Sequence, residues 1–158
     1  MHAPFLEVVA GGLVDAGWTV LRFNTRGTGA SGGRFGGGAE ELADLDAAWR
    51  YLGDAARALA GWSFGARLCM AHAATTAAPC VLFAPPLREA PGMPPLAKPA
   101  GPTLAVIGDR DSFVDAVAVE DFLGAAPVIF RGCDHFFIGR FAERAAEEAV
   151  AFFDRPGP

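Results

Sequence analysis

From residue 57 onward the sequence alternates short, continuously apolar runs with stretches whose apolar residues recur at helical spacing. Cys80-Val-Leu-Phe-Ala84, Thr103-Leu-Ala-Val-Ile-Gly108 and Pro127-Val-Ile-Phe-Arg131 show no polar alternation. A strand apolar on both faces has to be covered on both, which is the condition of a parallel sheet between two layers of helices. Helical spacing predicts helices over 4–16, 40–52, 64–75, 115–124 and 139–153, with Gly17 placed to stop the first. Two further runs, 18–23 and 57–62, read as strands, although Ala58 and Ala60 are poor strand formers. The expectation is an α/β fold, a mostly parallel sheet with helices on both faces.

The 158 residues are most simply one domain, 1–158, and 52% hydrophobic content with 20% charge describes a globular chain. Seven of the twelve prolines fall between 85 and 102, a loop over the surface. Net charge is −5 and twelve of the thirteen basic residues are scattered arginines, so no footprint for nucleic acid or a membrane surface is expected. Three cysteines without a C-x-x-C read as small buried hydrophobes in a reducing, cytoplasmic compartment. Glu7 and Asp15 interrupt the first apolar run, which argues against a signal peptide or a membrane span.

Gly27, Gly29 and Gly32 spell G-x-G-x-x-G after the run 18–23. A dinucleotide fingerprint needs its third glycine to open a helix, so that the helix N-terminus meets the pyrophosphate. Gly33-Arg-Phe-Gly-Gly-Gly38 blocks a helix there, and no acid ends a second strand some twenty residues on. A nucleotide site is not expected.

Gly61-Trp-Ser-Phe-Gly65 is the stretch that carries chemistry. A serine projected from the end of a strand sits on a sharp, strained turn, and side chains two positions either side would clash, so both are expected to be glycine. Such a serine needs a base, and the base an orienting carboxylate. Of the three histidines, His2 is terminal and His72 lies nine residues along the following helix, where it points away. His135, between the last strand and the last helix, is placed to swing over the sheet edge. Asp109 and Asp111 both qualify as the acid. Asp111 lies further beyond its strand, within better reach of an imidazole, and Asp109 reads as a loop cap. Asp115 reads as a helix cap and Asp134 as a solvated loop acid. The order Ser63, Asp111, His135 places all three at carboxyl ends of strands.

On "LRFNTRGTGASGG", "AGWSFGARL", "VLFAPP", "VIGDRDSFVD" and "GCDHFFIGR", the chain resembles the small, lidless α/β-hydrolases related to dienelactone hydrolases and serine-type peptidases. Arg26 to Gly33 match that family's R-G-x-G-x-S-x-G loop, which implies a turn after a sheet strand beside the active site. The resemblance implies Ser63 as nucleophile, His135 as general base and acid, Asp111 as its partner and the backbone N–H of Phe64 as one oxyanion donor. It implies a serine esterase working through an acyl-enzyme on a small acyl substrate, with no metal and no cofactor.

The family places another strand before the first helix, between the strands at 18–23 and 57–62, followed by a turn that gives the second oxyanion donor. Here the chain begins at that helix. Two expectations follow: Met1 is not the true start and the N-terminal strands are missing, or the two flanking strands pair directly. A second functional reading is a homologue that keeps the fold as a binding module without turnover.

Overall fold

A computed structural model describes residues 4–53 and 57–155 of the chain. Helix α1 (Pro4–Asp15) and α2 (Ala39–Tyr51) precede β1 (Leu59–Trp62), α3 (Phe64–Thr76), β2 (Cys80–Phe83), β3 (Thr103–Gly108), α4 (Ala116–Leu123), β4 (Val128–Phe130) and α5 (Arg140–Phe153). The four strands form one parallel sheet in the order β1-β2-β3-β4. Gly61 stands beside Leu82, and Gly108 beside Phe130.

The continuous apolar runs are the central strands. Val81, Leu82, Phe83 and Val106 are fully buried. Val81, Phe83 and Val106 face α1 and α5, while Cys80 and Leu82 face α2 and α3. Ala105 and Ile107 turn toward α4. Burial on both faces explains why these strands lack polar alternation, and truncating a side chain such as Phe83 to alanine would cost about 3–5 kcal/mol. The proline-rich stretch 85–102 forms neither helix nor strand. Arg67 of α3, fully buried, holds it by donating to the carbonyls of Pro86 and Pro94 and to Glu89. Among the described residues no helix is long and apolar enough to cross a membrane.

One expected strand is absent. Residues 18–23 have no regular secondary structure, and they do not pair with β1. The apolar pattern is satisfied another way: Trp18 and Val20 pack against the core shared by α1 and α5, and the Trp18 indole donates to Asp154 at 3.1 Å. A strand exists only by pairing, and the edge of β1 that would receive this segment stands across a cavity of about 1100 Å³. Direct pairing of the two runs, one of the two expectations, does not occur.

Candidate active site

Because every strand points the same way, the turns after β1, β3 and β4 gather at one edge of the sheet. Ser63 follows β1 with φ 53° and ψ −115°, a left-handed conformation rare for a residue with a Cβ. α3 begins at the next residue. A Cβ on Gly61 would collide with the carbonyl of Gly65 and with Cys69 Sγ, so this position has to be glycine. The same expectation fails at Gly65. A Cβ there would meet no atom within 4 Å, because Gly65 borders the open cavity and not packed backbone.

The turn after β3 presents Asp111. Its side chain is 0% exposed, with Oδ1 accepting the Phe113 N–H at 2.8 Å and Oδ2 lying 2.8 Å from His135 Nδ1. His135 Nε2 lies 2.9 Å from Ser63 Oγ. The three residues are thus brought into one hydrogen-bonded run. Gly108 makes this approach possible, since a Cβ there would strike the carbonyl of Cys133. The Arg110 N–H then donates to that same carbonyl at 2.9 Å, fastening the loop that carries His135 to the end of β3. Asp109 accepts the Gly132 N–H at 2.6 Å, a loop cap.

Two contributors lie beyond what the motif alone identified. The Trp62 indole, next to Ser63 in sequence, donates to the His135 carbonyl at 2.9 Å. Phe113 lies edge-on to the imidazole at 4.9 Å while remaining 66% exposed. Both are aromatic residues beside motif positions, a signal too common to be read without coordinates. The Phe64 N–H, at the start of α3, donates to no described residue and is free for a ligand at the positive end of the helix.

The other candidates stand apart. Asp115 caps α4 by accepting from Val117 and Ala118, and Asp134 accepts the Phe136 N–H. His72 is buried and bonded through Nδ1 to Asp46 at 2.7 Å, tying α3 to α2 away from Ser63. His2 lies outside the described residues. In the glycine loop, Gly27 and Gly29 adopt φ 69° and 57°, and the Gly27 N–H closes the turn on Gly32. Arg26 pairs with Asp44 at 2.7 Å and with Glu40 at 2.6 Å, clamping the loop to α2. Hydrogen bonding to Asp44 and Glu40 raises the guanidinium's pKa, and bonding from Arg26 holds the Asp44 carboxyl below its ordinary range. The loop is a turn held by ion pairs; the strand expected before it is the one that does not form.

Comparison with known proteins places the fold. No family model matches the chain. An uncharacterized protein of Rickettsia prowazekii (strain Madrid E) is 31% identical over 152 residues, covering 79% of this chain, and the chain spans 60% of that curated relative's length. The structure of an α/β serine hydrolase homologue from Coxiella burnetii superposes with a TM-score of 0.82 at 32% identity, over 98% of this chain and 78% of that one. A lidless α/β serine hydrolase from Xanthomonas campestris gives 0.81 at 30% identity, over 100% of this chain and 77% of that one. Parallel sheet, sequence similarity and coverage together assign the fold: the chain belongs to the α/β-hydrolase superfamily, similar to its lidless serine hydrolases.

Proposed function

We propose that this chain, read as one domain over 1–158, is a serine hydrolase that cleaves a carboxylic ester or related acyl bond of a small molecule. The observation that supports this reading is the hydrogen-bonded run Asp111–His135–Ser63, with distances of 2.8 and 2.9 Å. In this reading Ser63 Oγ attacks the acyl carbon while His135 Nε2 takes its proton. The resulting oxyanion is received by the Phe64 N–H and the positive end of α3. The imidazolium returns the proton to the departing alcohol, leaving an acyl-serine. Water, deprotonated by His135, then releases the acid and restores the hydroxyl. Asp111 keeps a proton on Nδ1 and so keeps Nε2 free to accept.

Phe136 and Ile138, 52% and 72% exposed, follow His135 in an uncovered loop, and residues 85–102 form no helical cap. An open site of this kind favours small or protruding acyl groups. The three cysteines are free and buried, and burial pushes the Cys80 thiol up to about 11. That fits a reducing compartment such as the cytoplasm. The second reading, a binding module without turnover, is favoured by the Phe64 N–H being the one oxyanion donor identified among the described residues.

Hydrolysis of p-nitrophenyl acetate tests the proposal. The wild-type chain should turn the ester over, and Ser63→Ala should lower kcat by up to about a millionfold. Equal rates for the two proteins would contradict it.

A further inference from the structure

The direction in which an alcohol leaves is set by the proton it has to receive. With His135 Nε2 as the donor, the departing oxygen comes within about 3 Å of that nitrogen. Whatever the oxygen carries then lies beside the imidazole, while the acyl group stays with Ser63 and Phe64. Beyond its two hydrogen bonds, the imidazole meets three aromatic rings. Phe113 stands edge-on to it at 4.9 Å and Phe136 at 5.7 Å, ring centre to ring centre, and Trp62 lies tilted at 5.7 Å.

Trp62 is committed through its indole to the His135 carbonyl, but the two phenylalanines are displayed. Phe113 is 66% exposed and Phe136 52%. Both sit on backbone fastened in the same way. The Phe113 N–H donates to Asp111 and the Phe136 N–H to Asp134, in each case an aspartate two residues earlier. Such Asx turns fix the main chain while the ring projects toward solvent. A single exposed phenylalanine is ordinary, but two packed on one imidazole, each on a fastened turn, are not scattered surface residues. Phe136 also borders the cavity beside β1, whereas Phe113 does not. Phe113 follows β3, which β2 separates from β1, so its exposure is independent of whatever adjoins β1.

We infer that Phe113, with Phe136, forms the binding surface for the departing group and selects esters of alcohols that carry an aromatic ring. A ring two methylenes from the departing oxygen is long enough to cross the imidazole and lie against Phe113. Aromatic rings prefer edge-to-face or offset partners, which gives an aryl group more than its buried area alone. An alcohol without a ring leaves both phenylalanines in water. The role of Phe113 rests on the hydrolase reading of Ser63 and His135, and it concerns which ester is chosen. Truncating the ring leaves the Asp111 contact in place, because the donor there is main chain.

The test holds the acyl group constant and varies the alcohol: ethyl, 2-cyclohexylethyl and 2-phenylethyl acetate. All three are primary alkyl esters and pass through the same acetyl-serine, so kcat/KM reads the departing group. The wild type should favour the phenylethyl over the ethyl ester at least about tenfold, and over the cyclohexylethyl ester about threefold. Phe113→Ala should bring the first ratio within about threefold and Phe113→Trp should keep it, each with a Tm within about 2 °C of the wild type. The acyl-side ratio, ethyl 3-phenylpropanoate against ethyl acetate, should change less than about twofold in Phe113→Ala. An equal loss on every ester would make Phe113 a positioning residue for His135 and overturn the inference. A wild type without the phenylethyl preference, or one that treats both ring-bearing esters alike, overturns it too. Binding is read separately in Ser63→Ala, where 2-phenylethanol should shift the ring-proton resonances of His135 and Phe113 and ethanol at the same concentration should not. Shifts without turnover of any ester by the wild type would sink the hydrolase reading and keep the aryl surface. Turnover without the shifts would sink the aryl surface alone, and absence of both would sink both.

Discussion

The indole N–H of Trp62 donates to the main-chain carbonyl of His135 at 2.9 Å, joining residues 73 positions apart in the sequence. Trp62 precedes Ser63, so the bond ties the turn that presents the hydroxyl to the loop that presents the imidazole. Removing it as Trp62→Phe should lower kcat about tenfold with little change in KM, because misplacement of a reacting group acts mainly on turnover. A net loss of about 0.5–1.5 kcal/mol should lower Tm by roughly 2–6 °C. Steady-state kinetics and thermal unfolding on the same preparation check both. A rise in KM with kcat unchanged would mean that Trp62 serves binding and not placement.

The two acids of the turn after β3 should separate cleanly. Asp111→Asn changes the group that holds a proton on His135 Nδ1 and should lower turnover on the order of 10⁴-fold. Asp109→Asn disturbs a bond to the Gly132 N–H and should cost about 1–2 kcal/mol of stability, with a far smaller loss of turnover. The reverse ranking would move the orienting role to Asp109.

Acid sensitivity should originate largely at the start of α2. Glu41 is fully buried, which by itself raises its pKa. The N–H groups of Gly36 and Gly38, donating at 2.6 and 2.7 Å, outweigh this and hold the carboxyl below the ordinary range. Asp44 is held low chiefly by Arg26. A folded pKa below the unfolded value, about 4.3 for glutamate, means that the stabilisation is complete above that value and is lost as pH falls through the folded pKa. Urea unfolding should therefore give a flat stability between about pH 5 and 7 and a decline below about pH 4, where protons bind preferentially to the unfolded chain. Glu41→Gln should be less stable by about 1–2 kcal/mol at neutral pH and converge on the wild type in acid. Parallel curves at all pH values would assign the acid limb elsewhere.

Much of this arrangement was legible in the residues because each signal was local. Gly61 reports a close backbone approach, the runs 80–84 and 103–108 report burial on two faces, and the loop positions of Asp111 and His135 follow from strand ends. What escaped detection depends on partners distant in the chain. The run 18–23 is as apolar as a strand, yet apolarity shows what has to be buried and not whether a neighbouring strand is present to pair. Gly65 has the motif's glycine without its clash, since it borders the cavity and not packed backbone. The Asp46–His72 bond and the anchoring of 85–102 by buried Arg67 join separate elements, and no spacing rule predicts them.

The central claim, that Ser63 is a nucleophile activated by His135, is tested most directly by intact-protein and peptide mass spectrometry after exposure to a fluorophosphonate. The account predicts one adduct per chain, located on Ser63, absent from Ser63→Ala and slowed strongly in Asp111→Asn. A folded protein that takes up no adduct, or that carries it on another residue with Ser63→Ala labelled equally, would contradict the account.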